Sequence, residues 1–114
     1  MEECIFCKIV QKDIPARWLY EDEKIIAFED INPQAPVHVL LIPREHFVSL
    51  NEVPEEKAGL LSHLLMKARQ IARKKGIAET GYRIVLNTAR ESGQEVFHIH
   101  FHLLGGRRMT WPPG

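Results

Sequence analysis

Only two of the 114 residues are cysteine, Cys4 and Cys7, too few to staple a small secreted fold with disulfides. An excess of one charge is missing as well. Fifteen Lys and Arg meet fifteen Asp and Glu, so the chain lacks the long-range attraction of a general nucleic-acid binder, and no nucleic-acid partner is expected. No apolar run approaches the ~20 residues of a membrane span. The opening MEECIFCKIV carries acids where a secretion signal carries bases. Together these features give the expectation of a cytoplasmic protein with no membrane partner. Internal repeats, low-complexity tracts and linkers are also absent, and 114 residues serve one hydrophobic core but not two, so 1–114 is expected to be a single domain. The one dense run of cations, Lys67, Arg69, Arg73, Lys74 and Lys75, falls toward the end of a predicted helix. There cations face the negative end of the macrodipole, and the run reads as a solvated face.

What is present reads as short strands and one long helix. The first fifteen residues form a helical turn and the turn Lys12-Asp13-Ile14-Pro15, an arm whose Ile5, Phe6 and Ile9 close over a core. Trp18 to Glu21 and Lys24 to Glu29 form a hairpin about Asp22-Glu23. Asp30 to Pro36 holds two prolines and is a loop feeding a strand from Val37 to Ile42. From Pro54 onward Glu55 and Glu56 open a helix whose Leu60, Leu61, Leu64, Leu65, Ala68, Ile71 and Ala72 recur at helical spacing, and Gly76 ends it. Tyr82 to Leu86 is a strand and Asn87 to Gly93 a polar loop. Val96 to Leu104 then alternates strictly, which puts His98, His100, His102 and Leu104 on one side of a strand.

Three histidines at alternate strand positions stand about 6.6 Å apart, a row of roughly 13 Å on one sheet face. A single strand histidine is usually a hydrogen-bonded core residue, but three leave a patch of titratable groups that is costly to bury without partners. Imidazole is both a common metal ligand and a nucleophile near neutral pH, so a metal site with redox or hydrolytic activity and a nucleophilic site both fit the row. No carboxylate ligands neighbour the histidines on the strand. The preceding loop, Glu91-Ser92-Gly93-Gln94-Glu95, suits phosphate, because Gly93 lets backbone N–H groups approach an anion closely.

The run Gly93-Gln94-Glu95-Val96-Phe97-His98-Ile99-His100-Phe101-His102-Leu103-Leu104-Gly105-Gly106-Arg107 closely resembles the signature of the histidine triad (HIT) family, and its Gly-Gly-Arg resembles the branch of histidine triad nucleotide-binding proteins. The resemblance extends to Phe28 through His38, to Asn87 and to the closing Trp-Pro-Pro-Gly. It implies an α+β fold: an antiparallel five-stranded sheet, one long helix and a short N-terminal helix, with the sheet continued across a homodimer into ten strands. It also implies roles. His100 would attack the α-phosphorus of a purine nucleotide and carry the nucleotidyl group until water removes it. His102 would contact the phosphate oxygens, and His98 and His38 would complete a hydrogen-bonded chain orienting the nucleophile. Asp30 would accept from the ribose hydroxyls with Ile31 beside the base, while Asn87, Gly93, Gln94 and Glu95 would line the phosphate side. Several members carry a serine where this chain has Glu95; a protonated carboxyl there could donate to a departing amine.

Three functions follow. The first is hydrolysis of purine nucleoside 5′-phosphoramidates, AMP joined to an amine, with no cofactor required for the chemistry. The second is a nucleotide-binding sensor or scaffold with incidental hydrolysis, and the third is the metal site. An intact His100 favours the first. Separately, Cys-x-x-Cys is a common half-site for zinc that needs two histidines from elsewhere in the fold. His46 has no role in the triad reading and is a free candidate, with His98 as the fourth ligand, whereas His63 reads as an exposed helix residue. The alternative is that Cys4 and Cys7 are reduced thiols. Some members of the resembled family pair such cysteines with such a histidine, which implies a structural zinc that staples the arm rather than serving catalysis.

Overall fold

The structure, a computed structural model, describes residues 3–114; the first two residues of the expected arm lie outside it. Five strands, β1 (Arg17–Glu21), β2 (Ile25–Glu29), β3 (Val37–Pro43), β4 (Tyr82–Leu86) and β5 (Phe101–Gly105), form one sheet in the order β1-β2-β3-β5-β4. Every neighbouring pair is antiparallel. The edges are β1 and β4.

β2 and β3 read as nearly unbroken apolar runs because both of their faces are covered. The long helix α2 (Ala58–Lys74) lays Leu64, Ala68, Ile71 and Ala72 over Ile25, Ala27, Val39, Leu41, Phe101 and Leu103. The short helix α1 (Ile5–Val10) lays Phe6 and Ile9 over Ile26, Phe28, Leu40 and Ile42 on the other face. Ile5, expected to join that contact, is 47% exposed, since a six-residue helix presents too narrow a stripe to bury three apolar residues in its first five. The helical pattern expected from Glu55 opens with a 3-10 turn, Glu55–Lys57, before α2 proper. Gly105 ends β5 where a Cβ would stand 2.5 Å from Ile77 Cδ1, so a larger residue there would have to displace the Ile77 side chain. Among the described residues no helix is long and apolar enough to cross a membrane.

Two further expectations are corrected. The strand predicted from Val96 begins only at Phe101, because the register that pairs Leu41 with Phe101 brings Pro43, which has no N–H, opposite Ile99. The chain from Val96 to His100 bends instead, and the Ile99 N–H donates to the Phe47 carbonyl at 2.7 Å. His63 is half-buried rather than exposed, its Nε2 2.7 Å from Asp22 Oδ2. Although burial alone would raise the Asp22 carboxyl, the amides of Lys24 and Ile25 with Tyr20 and His63 hold it well below the usual carboxylate range.

Candidate active site and metal cluster

His100 sits just ahead of β5 and is buried. Its Nδ1–H donates to the backbone carbonyl of His98 at 2.8 Å. That bond fixes the tautomer and leaves the Nε2 lone pair free. The His100 and His102 ring centroids are 4.9 Å apart, closer than their spacing along an ideal strand.

His102 points to the same side as His38, which β3 places two residues from Leu40, its cross-strand partner. The backbone N–H of Gln34 donates to His38 Nδ1 at 3.0 Å, so the His38 proton lies on Nε2, which donates to His102 Nδ1 at 2.9 Å. His102 therefore carries its own proton on Nε2. Asp30 Oδ2 lies 3.4 Å from His38 Nε2, while Asp30 Oδ1 accepts from the Asn32 N–H at 2.8 Å. The donor atoms of Asp30, His38 and His102 could also hold a metal ion, which would have to displace the proton between the two rings.

Burial lowers all four imidazoles below the ordinary histidine range. It holds His98 and His102 at about 4 and also lowers His100 and His38, the last against the opposing pull of Asp30. They are neutral at pH 7, as a nucleophilic lone pair requires.

His38, His102 and Asn87 line a groove of about 280 Å³ with Gln34 and Arg107. Ile31 stands 91% exposed at the loop beside Asp30. The loop 89–95 is held by Gln94, whose Oε1 accepts from the Ala89 N–H at 2.8 Å and whose Nε2 donates to the carbonyls of Val48 and Val96 at 2.7 and 3.1 Å. Its side chain braces the loop and is fully engaged there. Ala89 has φ 68 and ψ −178, a conformation nearly confined to glycine, and Gly93 has φ 88. Glu95 is exposed and lines a different groove, beside Cys4 and His46.

In that second region the donor atoms of Cys4, Cys7, His46 and His98 lie within 4.8 Å of one another. His98 Nδ1 is 3.4 Å from Cys4 Sγ, 3.5 Å from Cys7 Sγ and 3.2 Å from His46 Nδ1, and His46 Nδ1 is 3.3 Å from Cys7 Sγ. A tetrahedral zinc with Zn–S about 2.3 Å and Zn–N about 2.0 Å sets sulfur and nitrogen about 3.5 Å apart and two nitrogens about 3.3 Å apart. The four residues fit such an ion. His98 Nε2–H donates to the Pro43 carbonyl at 2.8 Å, which turns the Nδ1 lone pair toward the sulfurs. Burial, with the hydrogen bond to Cys4, pushes the Cys7 thiol up to about 11, a proton that a bound metal displaces.

The His98 ring is thus committed to the cluster, and it holds His100 through its backbone rather than through its imidazole. Sequence reasoning missed the Gln34 amide, the Pro43 carbonyl and the contact of Phe6 with His100, whose rings stand perpendicular at 5.1 Å between centroids. Only Phe6 left a signal, as the one aromatic residue inside the Cys-x-x-Cys motif.

The family model described as HIT domain matches residues 11–109. The 14 kDa zinc-binding protein of Zea mays is 49% identical over 112 residues, covering 96% of this chain and 87% of that protein. Adenylylsulfatase HINT1 of Arabidopsis thaliana is 48% identical over 112 residues, covering 96% and 76%. The crystal structure of a HIT family hydrolase from Legionella pneumophila Philadelphia 1 superposes with a TM-score of 0.96 at 52% identity, covering 98% of this chain and all of that one (100%).

Proposed function

The chain belongs to the HIT domain family, and from that footing we propose that it hydrolyses purine nucleoside 5′-phosphoramidates through a nucleotidyl group carried on His100. The names of the Legionella and Arabidopsis relatives both support hydrolysis. The observation that carries the finer reading is the bond from His100 Nδ1–H to the His98 carbonyl, which leaves a neutral, unpartnered Nε2 as the free nucleophile.

In this reading His100 Nε2 forms a bond to the α-phosphorus as the bond from phosphorus to the amine nitrogen breaks. The amine leaves with a proton taken from solvent at the open groove. Water then attacks the same phosphorus, releasing AMP and the free imidazole. The proton on His102 Nε2 donates to a phosphate oxygen, and the loop at Gly93, whose Gly93 and Gln94 N–H groups donate to the Arg90 and Ala89 carbonyls, lies on the phosphate side. Asn87 lines the phosphate side, while Asp30 receives the ribose hydroxyls and Ile31 packs beside the base. Zinc at Cys4, Cys7, His46 and His98 is a structural ion in this account, and the Zea mays relative named a zinc-binding protein supports it. We further propose that two copies pair into one continuous sheet.

The test is incubation with adenosine 5′-phosphoramidate followed by intact-mass measurement. Release of AMP, with a transient gain of one adenylyl group that His100→Ala abolishes, is the expected result. Tight AMP binding with no turnover would overturn the enzymatic reading in favour of a nucleotide sensor.

A further inference from the structure

Three aromatic contacts converge on Phe6. Its ring meets Phe28 at 5.6 Å, His98 at 6.0 Å and His100 at 5.1 Å between centroids, each edge-on and the last at 90°. The side chain is 6% exposed. It rides on a helix of six residues whose first turn is capped by Cys4 Sγ, which accepts from the Cys7 N–H at 3.4 Å. A helix that short has no stability of its own. What fixes Phe6 is the burial of α1 against β2 and β3, together with the two thiols on either side of it, both of which belong to the Cys4–Cys7–His46–His98 cluster.

The cluster also reaches His100 by a second route, since His98 gives its ring to the cluster and its carbonyl to His100 Nδ1. The terminal torsion of an imidazole is soft and roughly two-fold. One hydrogen bond at Nδ1 selects a tautomer only while the ring stays seated on its acceptor, and an aromatic ring packed perpendicular to the imidazole keeps it there.

We propose that Phe6 is a positioning residue for His100, pressed against the imidazole by the two cysteines that flank it, so that filling the metal cluster sets the orientation of the nucleophile. The proposal rests on His100 as the nucleophile and extends the role of the zinc beyond stapling the arm. It assigns no bond-making step to the metal. The ion holds α1, α1 holds Phe6, and Phe6 with the His98 carbonyl holds the ring.

The test uses the full chain loaded with zinc and compares Phe6→Leu with Phe6→Tyr. Metal content, kcat and KM are measured beside the ¹⁵N resonances of the His100 ring, which report its tautomer whether or not the assayed substrate is the right one. Phe6→Leu is expected to keep one equivalent of zinc and a KM within about twofold. It should lower kcat about tenfold, equivalent to about 1.4 kcal/mol, and move the His100 resonances toward the average of the two tautomers. Phe6→Tyr should restore both. Should Phe6→Leu fail to fold, chelation of zinc from the wild-type protein decides, with the same displacement of the His100 resonances expected while the far-ultraviolet circular dichroism persists. Unmoved His100 resonances in Phe6→Leu or after chelation would overturn the proposal, and so would a change confined to KM, which would make Phe6 a substrate-binding residue. Displaced resonances without phosphoramidate turnover would instead uphold the positioning and remove the phosphoramidase reading.

Discussion

His100 donates its Nδ1 proton to the main-chain oxygen of His98, two residues back, at 2.8 Å. An acceptor on the backbone cannot rotate away as a side chain can, so the peptide plane fixes the direction from which one tautomer of His100 is favoured, provided the ring stays seated against it. The chemistry at Nε2 thus depends on the path of the chain through 98–100, and that path is bent because Pro43 stops the ladder opposite it.

Replacing His100 by Ala is expected to lower phosphoramidate turnover by at least about a thousandfold, roughly 4 kcal/mol of transition-state stabilisation. AMP binding, read by calorimetry, should stay within a few-fold. Turnover within about tenfold of wild type would mean that another group attacks phosphorus.

Acid should destabilise the fold in a window set by the buried imidazoles. His102 is held at about 4, below the ordinary 6.5, so as pH falls the unfolded chain takes up its proton first. The stability linked to His102 is complete above about 6.5 and is lost progressively toward pH 4, with a slope of at most about 1.4 kcal/mol per pH unit for one proton. Urea titrations across this range should show a shallower slope for His102→Asn. Parallel slopes for the two proteins would contradict the assignment.

Gln94→Ala should cost about 2–3 kcal/mol, because it strips partners from the Val48 and Val96 carbonyls and from the Ala89 N–H. Chemical denaturation measures the loss. A cost under about 0.5 kcal/mol, the range of an ordinary surface substitution, would mean that the loop stands without its brace.

Protein purified without added metal or a histidine tag is expected to carry close to one equivalent of zinc, and chelation should lower the melting temperature. Less than about a tenth of an equivalent by elemental analysis, with no thermal shift on adding zinc, would remove the ion from the account.

Light scattering at micromolar concentration should return about twice the 13.2 kDa of one chain. The edge strand β4 and the exposed Leu65 and Met66 of α2 offer the uncovered surface that a second copy would bury. A mass of one chain would refute the pairing.

Much of the fold was legible because apolar periodicity and turn residues act locally. The hairpin at Asp22-Glu23, the helical spacing from Leu60 to Ala72 and the stop at Gly76 each follow from a few adjacent residues. The start of β5 was not legible, since it depends on Pro43 lying opposite Ile99, a pairing set by the register of two strands far apart in sequence. The histidine row was plain in the alternation of 98, 100 and 102, but not its division of labour. His98 turns to cysteines more than 90 positions away, the fourth-ligand place expected for it, and its ring therefore does not also join the imidazole chain that the resemblance assigned to it. Gln94 illustrates the remaining gap: the resemblance puts it on the phosphate side, and nothing along the chain indicates that its side-chain amide engages three backbone atoms around it.

Ala89 holds a backbone conformation nearly confined to glycine, and it does so with Gln94 accepting from its N–H and Ser92 Oγ donating to its carbonyl at 2.7 Å. A residue strained in this way stays in place only where its surroundings over-determine it. The ordering of this loop is therefore settled when the chain folds and leaves little to be lost when an anion arrives. On the proposed reading, a phosphate entering beside Gly93 would meet a loop already shaped, and its affinity would not be diminished by the entropy of shaping one.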